Sequence, residues 1–163
     1  MATATTTVTA EPGTPFIEIT RDFAAPVELL FRAHTDPDLL VQWLGPRRYT
    51  MLIDRYDSRD GGVYRYVHRG ADGVEHGFRG VFHGTPSIGG IVQTFEYEGW
   101  PGHIALEALT FEPIDGGTRL HIRAVHQSVE DRDGMIQSGM EDGVNEGYER
   151  LDALVAGMAA PAH

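Results

Sequence analysis

Cysteine does not occur in the 163 residues, which excludes disulfides, thiolate metal centres and cysteine nucleophiles together. Basic residues are scarce: 13 Lys and Arg stand against 24 Asp and Glu, a formal net charge of −11. Such a surface repels phosphate backbones and anionic lipid, so neither nucleic acid nor a membrane is an expected partner. No apolar run approaches the roughly 20 residues of a membrane-spanning helix. The segment from Met1 to Pro15 has neither the basic stretch nor the apolar core of a secretion signal. With cysteine also absent, this points to the cytoplasm. A phosphate-cradling loop, a dinucleotide fingerprint and a nucleophile elbow are missing as well. No cofactor is therefore expected, and serine hydrolysis is not.

What remains fits one domain. Residues 1–13, rich in Thr and Ala, read as a disordered tail, 14–158 as a single domain and 159–163 as a flexible end. Phe16 to Phe23 is a β-type run, FIEITRDF. Pro26 suits the first turn of a helix carrying Val27, Leu30, Phe31 and His34. Asp36-Pro37 opens a second short helix as N-cap and N1, running through Trp43 and stopped by Gly45-Pro46. Six strand-like segments follow at 49–57, 62–69, 74–84, 90–98, 103–113 and 117–127, divided by Gly, Asp and Pro turns such as Asp60-Gly61-Gly62 and Asp115-Gly116-Gly117. Such short loops imply an antiparallel meander. One continuous helix is expected from about Asp131 to Met158, with Ser128 as N-cap and an apolar stripe including Ile136, Met140, Val144, Tyr148, Leu151 and Val155.

This order resembles the START-like (SRPBCC) superfamily. More closely, it resembles bacterial single-domain members of the activator of heat-shock-protein-90 ATPase homologue family. The residues carrying the likeness are Ile19-Thr20-Arg21, Ala25-Pro26, Trp43-Leu44-Gly45-Pro46, Asp60-Gly61-Gly62 with Tyr64-Arg65-Tyr66, Phe78-Arg79-Gly80, Thr94-Phe95-Glu96, Gly117-Thr118-Arg119-Leu120, Glu130 to Met135, and Gly139-Met140-Glu141. The resemblance implies an α+β helix-grip fold: a curved antiparallel sheet of about seven strands around a long C-terminal helix. It implies no single activity, because folds of this kind host many functions.

Several residues point to a cavity between sheet and helix. Gly139, Gly143 and Gly147 recur every four residues. Interior helix glycines cost about 1 kcal/mol each, so they open room for a ligand or allow close packing on the sheet. Trp43 would cap one end of the cavity, its indole N–H free for a polar ligand group, or simply plug the core. Trp100 would form a rim or a partner contact. Eight histidines occur, without the spacing of a metal pair, and no metal is expected. His126 shares strand parity with Leu120, Ile122 and Ala124 and so faces the cavity; His68 joins it if register allows. Glu96, Glu98, Glu107 and Glu112 read as a solvated outer face.

The sequence thus supports binding of a small apolar or amphipathic ligand. Tyr66, Phe78, Phe82, Phe95, Tyr97, Leu120, Ile122 and His126 would line the sheet side. Met140, Gly143, Val144 and Tyr148 would line the helix side, with Trp43 at an end. Flexible methionine beside glycine makes an adaptable wall. Two other readings stay open. One is a cyclase- or dehydratase-type enzyme using His126, Tyr66 or Glu96. The other is a stress-related, co-chaperone-like interaction module with a filled core and a contact patch around Glu130 to Met135. A homodimer or another protein partner is compatible with each.

Overall fold

The computed structural model describes residues 4–159. Eight strands form one antiparallel sheet: β1 (Thr7–Thr9), β2 (Phe16–Phe23), β3 (Tyr49–Tyr56), β4 (Val63–Gly70), β5 (Glu75–Val81), β6 (Ile91–Tyr97), β7 (Ile104–Ile114) and β8 (Gly117–Val125). Their spatial order is β1-β2-β8-β7-β6-β5-β4-β3. Helices α1 (Val27–Thr35) and α2 (Pro37–Leu40) link β2 to β3, and α3 (Val129–Gln137) and α4 (Met140–Ala159) follow β8. This is the α+β helix-grip arrangement, and the strands fall within a few residues of their expected bounds.

Two expectations need correction. Thr7–Thr9, read as tail, is an edge strand paired with β2 through Thr7↔Thr20 and Thr9↔Glu18. Its β-branched residues cover backbone groups that β2 would otherwise expose. Residues 1–3 of that tail, and 160–163 of the flexible end, lie outside the described residues. The C-terminal helix is also not continuous. Gly139 has φ +84, a left-handed conformation that only glycine adopts at low cost, and it separates α3 from α4.

Caps form where the sequence places them. The Asp36 side chain accepts a hydrogen bond from the Asp38 N–H, and Ser128 Oγ from the Asp131 N–H at 3.0 Å. Alternation fixes the inner face of the sheet. On β2 it presents Ile17, Ile19, Arg21 and Phe23, all buried. Across the ladders these pair with Ala124, Ile122, Leu120 and Thr118 of β8. Helix α1 lies over β7 and β8, and its Phe31 and His34 meet Phe111 edge-on.

Close packing also constrains the interior of the sheet. A Cβ on Gly80 would collide with the Thr94 carbonyl and the Tyr64 hydroxyl. Gly80→Ala is expected to destabilise the fold by about 1–3 kcal/mol through overpacking, read as a lower denaturant midpoint at unchanged slope. An unchanged midpoint would mean that β5 and β6 part freely at this point.

Candidate functional site: a cavity between sheet and C-terminal helices

The C-terminal helices meet the sheet at β2, where Tyr148 lies edge-on to Phe23 and Asp152 pairs with Arg21; elsewhere the two layers face each other across open space. They enclose a cavity of about 670 Å³, within the roughly 300–1,000 Å³ usual for small-molecule sites. Its sheet wall carries Tyr64, Tyr66 and His68 of β4, His76 and Phe78 of β5, Gln93, Phe95 and Tyr97 of β6, Glu107 and Leu109 of β7, and Ile122 of β8, with His126 just beyond. Its helix wall carries Met135, Met140, Gly143, Val144 and Tyr148, and Trp43 closes one end. Eleven of the thirteen expected lining residues therefore line it: Trp43, Tyr66, Phe78, Phe95, Tyr97, Ile122, His126, Met140, Gly143, Val144 and Tyr148.

Phe82 and Leu120 do not. Their parity is right but their depth is wrong. Phe82 is 1 % exposed and packs on Tyr56 and Tyr64. Leu120 is 0 % exposed and sits between Arg21 and Phe111 across the ladders, at the end that α1 covers.

Trp43 plugs its end of the cavity, but its N–H is not free. Nε1 donates to the Ala33 carbonyl at 2.9 Å, one of the carbonyls left without an intrahelical partner in the last turn of α1. The indole lies near-parallel to the Tyr148 ring at 6.1 Å. The turn that carries it is held to α4: Arg150 donates to the Gly45 and Gln42 carbonyls at 2.8 and 3.0 Å. A Cβ on Gly147 would come within 3.2–3.3 Å of Gly45 N and the Trp43 carbonyl. Gly147 thus serves close packing, Gly143 borders the cavity, and Gly139 breaks the helix.

The polar groups of the wall decide its chemistry. His34 Nδ1 donates to the Leu30 carbonyl at 2.8 Å, while Nε2 is buried without a partner. Burial holds the imidazole pKa down to about 4. His68, lying against Gly45, is likewise lowered to about 4, by burial first and then by the neighbouring His76 and Arg150. His126 is lowered by burial too, and its Nε2 is also unpartnered. His76 Nδ1 and the Tyr97 hydroxyl are hydrogen-bonded at 2.8 Å. The buried Tyr66 and Tyr148 hydroxyls have pKa values raised by desolvation.

Glu107 is the main correction among the carboxylates. It is not on the outer face. Register places it opposite Gln93 and Ala124, and the surface it keeps opens onto the cavity. Gln93 Nε2 donates to Glu107 Oε1 at 2.9 Å. Desolvation raises the Glu107 pKa, and the Gln93 hydrogen bond draws it partly back. Glu96, by contrast, is outside, where Arg79 and the Gly102 N–H bind its carboxylate. It cannot work with His126 or Tyr66. Trp100 stacks on His103 at 3.8 Å and lies against Gly134 at the cavity rim.

A family model for the Activator of Hsp90 ATPase homolog 1-like protein matches residues 24–156. The chain belongs to that family. Solved structures share its architecture over most of the chain. A protein of Rhodobacter sphaeroides is 30% identical with a TM-score of 0.84, over 93% of this chain and 99% of that one. CV1439 of Chromobacterium violaceum is 27% identical with a TM-score of 0.76, over 86% and 96%. Ms6760 of Mycobacterium smegmatis, 24% identical with a TM-score of 0.83 over 98% and 100%, shares the fold. No curated protein matches the chain. Among the described residues no helix is long and apolar enough to cross a membrane, and no three His, Asp or Glu are grouped to hold a metal ion.

Proposed function

We propose that this protein binds a small amphipathic molecule in the cavity between its sheet and its C-terminal helices. The carrying observation is a 670 Å³ space walled by Phe78, Phe95, Ile122, Met140 and Val144, with a few polar groups converging on it. Apolar walls supply affinity by area, and sparse polar groups fix orientation. A module acting only through its surface has no need of such a space. The stretch offered for a contact patch also turns inward at Arg132, 3 % exposed, which donates to the Glu11 and Phe16 carbonyls.

An enzyme reading would need an acid–base pair. His126 and Glu107 both border the cavity, but no hydrogen bond joins them, so binding is favoured over turnover. The test is native mass spectrometry of the purified chain, with extraction of any adduct. A stoichiometric apolar adduct is the expected result. A bare chain that also fails to bind apolar dyes would remove the reading.

A further inference from the structure

We infer that the cavity selects ligands that carry a basic nitrogen on an apolar body, and that Glu107 is the group that holds the nitrogen. This rests on the ligand-binding reading above and adds the chemistry of the polar end.

The starting observation is a carboxylate inside an apolar cavity with no cation of its own. Buried Asp and Glu are rare unless paired. The sequence contains no lysine. Among the described residues, no arginine forms an ion pair with Glu107; Arg65, Arg79 and Arg119 are spent on Glu98, Glu96 and Asp22 outside the sheet, and the buried, inward Arg21 is spent on Asp152 of α4. Among the described residues the one arginine that borders the cavity, Arg48, is exposed and lies over the Tyr49 ring. Glu107 is bound by one neutral neighbour, Gln93, through one oxygen. That bond orients the carboxylate and favours its charged form, leaving the other oxygen for a donor.

The surroundings are those a cation prefers. Tyr64, Tyr66, Tyr148, Phe95 and Trp43 line the same space, and aromatic faces attract ammonium groups electrostatically. The Tyr66 and Tyr148 hydroxyls have no protein hydrogen bond among the described residues and can accept from a nitrogen. The net charge of −11 enriches cations near the protein and repels carboxylate ligands. A neutral donor such as an alcohol would satisfy Glu107 by one hydrogen bond, but would leave its charge uncompensated.

The test uses the full chain and two probes of one shape, naphthylmethylamine and naphthylmethanol, titrated calorimetrically near neutral pH. The amine is expected to bind about tenfold more tightly or better. In the near-isosteric Glu107→Gln variant that preference should vanish. A second measurement separates Glu107 from His34, His68 and His126, which border the same space: acidifying the solution should weaken the amine more in wild type than in Glu107→Gln, because the histidines are common to both and only wild type has the carboxylate to protonate. If the alcohol binds wild-type protein as well as the amine does, or if Glu107→Gln keeps the preference, this inference is overturned and the cavity reading stands. If neither probe binds, both fall.

Discussion

Trp43→Ala is expected to cost about 3–5 kcal/mol of stability. The side chain is 3 % exposed and is in contact with two helices at once. Its ring lies against His34 of α1 and Tyr148 of α4, and its N–H satisfies the Ala33 carbonyl. Removing it leaves a void at the closed end of the cavity and an unpaired carbonyl in the last turn of α1. The loss should appear as a lower denaturant midpoint with little change in slope. Trp43→Phe separates the two parts. It keeps an aromatic plug but strands the carbonyl, at about 1–3 kcal/mol. If alanine cost no more than phenylalanine, the indole would be a lid over the cavity, contributing little to the join between α1 and α4.

That join was only half visible in the sequence. The Trp-Leu-Gly-Pro turn marked a helix end and a cavity plug, but nothing local says that Ala33, ten residues back, needs the indole N–H. Strands were legible because Gly, Asp and Pro stand between them and alternation identifies one face. Alternation fails where both faces are apolar. On β7 the inward Ala105 and Leu109 alternate with outward Ile104, Leu106 and Ala108, so Glu107 had no face until β6 and β8 set the register. Phe82 and Leu120 show a different limit: parity gives the side of a sheet, never the depth beneath a helix packed elsewhere. Gly139 was hidden by its own spacing, since a repeat of four with Gly143 and Gly147 mimics a helix face while its backbone ends one helix. Thr7–Thr9 is too short and too polar to signal a strand without β2 beside it.

Acid should weaken this fold well before its surface carboxylates titrate. His34 is buried and neutral, with its pKa lowered from 6.5 to about 4. The unfolded chain therefore binds a proton that the folded chain refuses over that interval. Stability should fall as pH drops from 6.5 toward 4 and level off below. For His34 alone the loss is about 3 kcal/mol. His68 adds to it in the same window. His126 acts in the same direction. Glu107 acts in the opposite one. Its raised pKa lets the folded state take up a proton before the unfolded state does, which offsets part of the loss. Asp22, Glu96 and Glu98 are held ionised by arginines, so their losses come at lower pH. The decisive comparison is the unfolding free energy near neutral pH and near pH 4.5 for wild type and His34→Leu. Leucine fills the space between Trp43 and Phe111 without an atom to protonate, and it removes the unpartnered Nε2. The variant should lose markedly less stability on acidification. Parallel losses in the two proteins would show that His34 is not the group that the acid reaches, and would move the titration to His68 and the cavity wall.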